Sequence, residues 1–541
     1  MAAMGVLFAA AATAAIFFGP AAAAAGTDDG WPRQAVAAAV DDATARYALP
    51  GIAVGVVAGG EVRQLELRGE TVAGSGEAIT ADTLFKVASN TKAMTAALLA
   101  RQVDAGLLAW DDPVVKHLPG FRMHEDWVTR EMQVRDLLIH NSGLGPGAGD
   151  LMLWPEPNAF TRGEVIAGLA HLKPRWSFRS RYAYDNTLYI VAGEVAAAAG
   201  GAPYDVLLRR EVFEPLGMDG CRVGEWRIDG AGPVAAPHGR RDGAWVGRPD
   251  GEVVADMPMA AAGGVRCGLD DMLRWVRAWL DPDARDAAGR PWLSAGQRAA
   301  AWTPHMPMPL SRRMRDWNRS HYYAYGLGWR LSDVDGTAKV AHTGTLSGMY
   351  SAVTLLPELD AGFVILLNAD AGDARTVLEQ SLSKIFTACP GTSACPREDG
   401  LVAHYASLLA AERAASSAGL DAPEGEAAGR HPREPVAAGA LSGRLGRYRD
   451  PWFGEATVCE ADGGVRFESL KSPRLAGPVL RAGERLLVDF DTLGADADAW
   501  LDFAAGTDGG PATLAMAKVD PEADFSYDYE DLAFRRIGDC P

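Results

Sequence analysis

The sequence predicts an α/β (α+β) sandwich, in which an antiparallel sheet flanked by helices is built from both ends of one domain around a helical insert, with a small all-β domain behind it. Three observations carry that expectation. Apolar strand-like runs stand at residues 52–57 and, far along the chain, at 350–356 and 362–367. Helix-like runs fill the interval between them. After a stretch rich in Ala, Gly, Ser, Pro and charge at 414–439, the apolar spacing changes to a period of two, the mark of half-buried strands.

Taken in order, 52–57, Gly59-Gly60 and 62–67 read as a hairpin, because paired glycines supply the positive φ of a tight turn. Residues 91–108 read as a helix with Met94, Ala97 and Leu98 on one side, three to four apart. A second helix over 188–199 is stopped by Gly200-Gly201, and a third covers 272–280. Three strands follow, at 340–342, 350–356 and 362–367. Beyond the Ala/Gly-rich stretch, 456–459 and 465–467 flank Asp462-Gly463-Gly464 as a hairpin, and strands continue at 486–490, 500–503 and 513–519, with Asp508-Gly509-Gly510 as a turn. The expected organisation is a leader at 1–25, a first domain at 31–386, a linker at 387–439 and the β domain at 440–541.

The chain has 541 residues and a net charge of −18 without any dense Lys/Arg run, which argues against nucleic acid as a partner. Residues 6–25 are almost wholly apolar and end in an alanine run before Gly26. That is the pattern of a secretory leader cleaved near Ala25, although Met1-Ala-Ala-Met carries no positive charge. A periplasmic or secreted location follows, and no later stretch is long and apolar enough to span a bilayer. Six cysteines in an exported chain suggest disulfides. Cys389 and Cys395 are close enough to close a small loop, and Cys221–Cys267 and Cys459–Cys540 are the remaining pairs considered. No strong metal motif is present, and no metal or other cofactor is expected.

Three short motifs carry chemistry. Ser89-Asn90-Thr91-Lys92, at a helix start, places a serine and a lysine three apart on one face, so the amine can reach the hydroxyl and take its proton. The same pattern recurs as Ser381-Leu382-Ser383-Lys384, and by itself it is equally a helix cap with a surface lysine. Tyr184-Asp185-Asn186 in an extended segment points Tyr184 and Asn186 the same way. The tyrosine can act as a general base beside an ammonium, and the amide can hold a carbonyl or the lysine. In His342-Thr343-Gly344 the glycine lets backbone approach a substrate, and the Thr345 amide could join that of Ser89 as an oxyanion hole. Ser381 follows all of these motifs and has no such company, so Ser89 is the nucleophile.

In this order and at these separations, S-x-x-K, Y-x-N and H-T-G resemble the serine hydrolases related to class C β-lactamases and D-alanyl-D-alanine carboxypeptidases, the penicillin-binding-protein-like group. The run 83–89, the Leu137-Leu138-Ile139-His140-Asn141-Ser142-Gly143-Leu144 segment, Glu214-Pro215-Leu216-Gly217-Met218, Ala262-Gly263-Gly264 with Asp270, and Tyr325-Gly326-Leu327-Gly328-Trp329 are similar to further landmarks of that group. The tail from Tyr448 resembles the lipocalin-like β-barrel often fused to it, whose role would be structural or would cap the cleft and limit substrate size. The resemblance implies Ser89, Lys92 and Tyr184 as catalytic residues. Asn186, His342, Gly344 and Thr345 would then be the substrate-binding set.

The departure is His342, where dedicated β-lactamases and many carboxypeptidases have lysine, a permanent cation. Relatives with histidine include D-aminopeptidases, D-amino-acid amidases and carboxylesterases. The resemblance therefore implies a peptidase or amidase that forms an acyl-enzyme and acts on short or linearised peptides with a D-residue at the scissile bond. The broad group also contains peptidases that open linearised microcystin beside its D-alanine. A carboxylesterase is the alternative, and a β-lactamase or a non-catalytic peptidoglycan binder are the lesser ones. The partner is a peptide or small acyl substrate. The sequence does not fix the oligomeric state.

Overall fold

The structure, a computed structural model, describes residues 31–286, 288–388, 400–419, 432–493, 497–506 and 512–541. The expected leader, the Cys389–Cys395 pair and the 508–510 turn lie outside the described residues.

Strand β1 (Gly51–Ala58) shows why a continuous apolar run reads as a sheet interior. Ile52, Val54 and Val56 pack on one face with helix α1 (Arg33–Tyr47), while Ala53 and Val57 enter a second core on the other face. With both faces covered, no polar alternation survives. Gly59 and Gly60 (φ 60° and 72°) close the hairpin to β2 (Glu61–Gly69), as the sequence predicts.

The remaining strands of this sheet come after the insert: β3 (Met306–Pro307), β4 (Tyr323–Tyr325), β5 (Arg330–Val334), β6 (Thr337–Leu346), β7 (Met349–Leu356) and β8 (Ala361–Leu367). They order as β2-β1-β8-β7-β6-β5-β4-β3, every neighbouring pair antiparallel. The two ends of the domain thus meet at the β1–β8 seam, where Ile52 pairs with Leu367.

Helix α2 (Thr91–Asp104) and helix α3 (Thr187–Gly200) lie in the insert; α3 ends at Gly201 in the left-handed conformation. Helix α4 (Leu269–Leu280) lies on the sheet at Gly55, where a Cβ would come within 2.7 Å of Leu273. Cys221–Cys267 is bonded inside the insert. On the opposite face sit α5 (Gly372–Thr387) and α6 (Leu401–Gly419). Helix α6 falls within the stretch read as a linker. Its alanine-rich composition suggests low complexity, but Val402, Tyr405 and Leu409 are spaced to bury one stripe against the α1–α5 core. In the same stretch, Arg433–Pro435 pairs with the strand Ala476–Ala482 of the second domain.

That second domain is a closed eight-stranded antiparallel barrel. Its strands are β9 (Gly446–Asp450), β10 (Gly454–Ala461), β11 (Gly464–Ser469), β12 (Ala476–Ala482), β13 (Arg485–Val488), β14 (Ala499–Ala504), β15 (Thr513–Lys518) and β16 (Phe534–Gly538). Each pairs with the next, and β16 returns to β9 to close the ring. Closure leaves no open edge, and this up-and-down order fits a lipocalin-like domain. Asp462 and Gly463 (φ 50° and 80°) form the expected tight turn between β10 and β11. Cys459–Cys540 ties β10 to the C-terminus. The segment between β15 and β16 leaves the barrel and reaches the first domain.

Candidate active site

Ser89 sits in a single 3-10 turn (Ala88–Asn90) that runs directly into α2. Ala88, just before it, has φ +48°, a conformation disfavoured for a residue with a Cβ and found where the surroundings impose it. Those surroundings are visible. Asn90 Nδ2 donates to Ser351 Oγ (2.8 Å), and Ser351 Oγ donates to the Val87 carbonyl (2.7 Å), stitching the turn to β7. Gly344 on β6 packs on the same turn, where any Cβ would overlap the Val87 carbonyl oxygen and Ser351 Oγ. Gly328 likewise lies against the first turn of α2, 2.7 Å from the Lys92 carbonyl oxygen to where a Cβ would stand.

One helical turn past Ser89, Lys92 is wholly buried. Its ammonium has three N–H bonds and three acceptors: Ser89 Oγ at 3.2 Å, Asn186 Oδ1 at 2.6 Å and the Ala262 carbonyl at 3.0 Å. The rings of Tyr184 and Tyr189 lie 4.8 and 5.1 Å from Nζ, close enough for cation–π attraction. Asn186 Nδ2 donates in turn to Asp150 Oδ2 (2.8 Å). Tyr184 lines the cleft with Ser89; its ring lies tilted against His140 at 4.3 Å and meets Phe525 edge-on at 5.6 Å.

The cleft holds about 860 Å³, and its walls come from both domains: Ser89, Tyr184, Asn186, Arg330, Thr343 and Thr345 from the first, Arg474 and residues 524–527 from the barrel. Thr345 is exposed on the wall, with its Oγ1 and the Gly344 carbonyl both accepting from Arg375 Nη1 at 2.8 Å.

His342, expected in the substrate-binding set, is placed away from the cleft surface. Strand alternation turns its side chain inward, where it is fully buried. Nδ1 lies 2.8 Å from the Thr343 carbonyl oxygen and Nε2 lies 2.8 Å from Tyr325 Oη, which fixes Nδ1 as donor and Nε2 as acceptor. Burial, then the charges of Arg330 and Lys92, hold its pKa well below the usual histidine value. His342 is therefore a neutral part of the scaffold behind Tyr184. A fixed cation on this wall is Arg330, from the neighbouring strand β5, whose Nη1 donates to Thr343 Oγ1 (2.7 Å) and whose Cζ lies 5.9 Å from the Tyr184 ring.

A neutral buried histidine fixes a sign. Its folded pKa is depressed, so the unfolded chain binds more protons below the ordinary value near 6.5, and stability falls as pH drops through that value. Relative to His342→Gln, the wild-type protein is expected to lose up to about 1.4 kcal/mol more per pH unit below about 6.5. Urea melts of both proteins at pH 7.5, 6.5 and 5.5 check this; parallel pH profiles would contradict it.

The second S-x-x-K is structural. Ser381 Oγ donates to the Val377 carbonyl of its own helix (2.8 Å), and Lys384 pairs with both oxygens of Asp335 at 2.7 Å. Ser381→Ala is expected to leave ester hydrolysis within about twofold of wild type, as surface and helix-internal changes away from a site usually do. A larger loss in a rate assay would contradict the assignment of Ser89 over Ser381.

Sequence reasoning missed Asp150, Arg330 and the 525–528 segment. None of these sits in a motif, and the last is contributed by a different domain. Asp150 is fully buried; burial pushes its carboxyl well above the usual range. Among the described residues no cluster of three or more His, Cys, Asp or Glu is placed to hold a metal, and no helix is long and apolar enough to cross a membrane.

Residues 36–383 match the family model described as Beta-lactamase, and the chain belongs to that family of serine hydrolases. It is 29% identical over 332 residues to penicillin-binding protein 4 of Amycolatopsis lactamdurans, covering 61% of this chain and 82% of the relative. It is 24% identical over 332 residues to a D-alanyl-D-alanine-carboxypeptidase/endopeptidase of Escherichia coli, covering 58% and 78%. It is 26% identical over 338 residues to an unguisins hydrolase of Aspergillus campestris, covering 60% of this chain and 59% of that one. Among solved structures, the octameric penicillin-binding protein homologue of Pyrococcus abyssi superposes with a TM-score of 0.57 at 18% identity, covering 92% of this chain and 98% of that one. The class C β-lactamase of Rhodobacter sphaeroides does so at 0.52 and 19%, covering 66% and 99%. At these identities the two structures speak for the fold.

Proposed function

We propose that the protein is an exported serine peptidase or amidase that forms an acyl-enzyme on Ser89 and acts on short or linearised peptides with a D-residue at the scissile bond. The observation that carries this reading is the buried ammonium of Lys92, 3.2 Å from Ser89 Oγ and beside the Tyr184 ring. In the reacting state the Lys92–Tyr184 pair has given up one proton to solvent, and the pair then takes the serine proton as Oγ attacks the carbonyl carbon. The amides of Ser89 and Thr345 receive the developing oxyanion. The proton passes to the leaving amine as the C–N bond breaks, and water then hydrolyses the ester. The names of the carboxypeptidase and unguisins-hydrolase relatives support peptides as the substrate class, and the cleft, walled partly by the barrel, suits short chains.

The test is cleavage of a mixed library of L- and D-containing peptides, read by mass spectrometry against Ser89→Ala. Cleavage beside a D-residue, absent in the variant, is the expected result. Hydrolysis of unactivated esters without any peptide cleavage would replace the reading by a carboxylesterase.

A further inference from the structure

The barrel reaches the catalytic lysine through side chains. Its Ser526 hydroxyl donates to Asp150 Oδ2 (2.8 Å), the same oxygen that accepts from Asn186 Nδ2 (2.8 Å), and Asn186 Oδ1 accepts from Lys92 (2.6 Å). Two residues on, the buried Asp528 carboxylate accepts from the backbone N–H groups of Gly149 and Leu151 at 2.6 and 3.1 Å, one on each side of Asp150. Gly147 (φ +71°) leaves room for Phe525, whose carbonyl oxygen would lie 2.7 Å from any Cβ there. Loop 147–151 of the hydrolase domain is thus held by the segment 525–528 of the barrel.

An asparagine side chain has a donor end and an acceptor end that differ only by a flip. Facing Lys92, the acceptor end stabilises the ammonium, whereas the flipped amide would set N–H against N–H. What selects the orientation is the partner of the other end, and here it is an acceptor, Asp150 Oδ2. We infer that Asp150 and the barrel's Ser526 are positioning residues for catalysis, which lock Asn186 so that its carbonyl oxygen holds Lys92 against Ser89; the barrel is a working part of the active site and more than a cover. This rests on the reading that Ser89 and Lys92 perform the chemistry.

The experiment follows acylation of the full-length protein by p-nitrophenyl acetate in pre-steady-state bursts, which needs no knowledge of the natural peptide. Asp150→Leu is expected to slow the burst about 10- to 100-fold, the scale of a misplaced reacting group, with little change in KM. Asp150→Asn, which can still offer an acceptor to Asn186, is expected to recover most of that loss. Ser526→Ala should show a smaller loss in the same direction, and Ser526→Thr should restore it. Asn186→Ala combined with Asp150→Leu should cost no more than Asn186→Ala alone, because Asp150 acts through Asn186. The inference is overturned if the losses multiply independently, if they appear in KM alone, or if Asp150→Asn is as slow as Asp150→Leu. If Asp150→Leu does not fold, the Ser526 pair and Asp150→Asn decide the matter alone. A wild-type protein with no burst, and none lost on Ser89→Ala, would instead remove the reading of Ser89 itself.

Discussion

Lys92→Ala is expected to slow acylation of Ser89 by about 10²–10⁴-fold, the usual contribution of a positioned general base. The size follows from the lack of a histidine free to take its place. Lys92 Nζ stands 3.2 Å from Ser89 Oγ, and among the described residues the histidines nearest to it, His140 and His342, are both committed. His140 Nδ1 accepts from the Asp185 amide (3.0 Å), and His342 accepts from Tyr325. Neither can turn to the serine without breaking a buried bond. The change also strands Asn186 Oδ1 and the Ala262 carbonyl, acceptors on buried residues, at a cost of up to about 1–3 kcal/mol apiece. Removing a buried ammonium offsets part of that. Stopped-flow bursts with p-nitrophenyl acetate, together with a urea melt, separate the two effects. Near-normal bursts in a folded Lys92→Ala variant would contradict the assignment.

Gly344→Ala is expected to give the second large loss, about 10²-fold in acylation, without any change in a reacting group. The added methyl has nowhere to go. The Val87 carbonyl it meets already accepts from Ser351 Oγ, which accepts from Asn90 in the turn that carries Ser89. Strand β6 must therefore move away from that turn. The Ser89 and Thr345 amides, proposed to share the oxyanion, stand on the two sides of the contact. A shift of about 1 Å between catalytic parts can cost about 10² in rate, while overpacking costs about 1–3 kcal/mol of stability. Burst kinetics and a melt on the same sample check both numbers; wild-type acylation would show that β6 does not form the facing wall.

The difference between these two positions explains what could be read in advance. Ser89, Lys92, Tyr184 and Asn186 belong to short motifs that gain meaning from their order along the chain, and the structure gathers them around one buried ammonium. The β1–β2 and β10–β11 hairpins were legible because paired glycines, or Asp-Gly, are nearly the only residues that suit such turns. His342 illustrates the limit. Its place in the motif is clear, but the face to which β6 turns it, and the Tyr325 hydroxyl that meets it there from 17 positions away, depend on a strand two places over in the sheet. Helix α6 was hidden by its alanine-rich composition, because its buried stripe has meaning only once α1 and α5 are in place. Asp150 and the 525–528 segment are further from any local signal. Their roles arise where two domains touch, with Ser526 lying 376 positions from the carboxylate it holds.

The central claim is that Ser89 becomes acylated. Its most direct measurement is intact-mass analysis of the protein trapped with a slowly turned-over acylating ester, followed by peptide mapping. The expected result is one acyl group per chain, carried by the peptide that contains Ser89, lost in Ser89→Ala and kept in Ser381→Ala. Acyl groups on any other residue, or hydrolysis that persists in Ser89→Ala, would contradict the account.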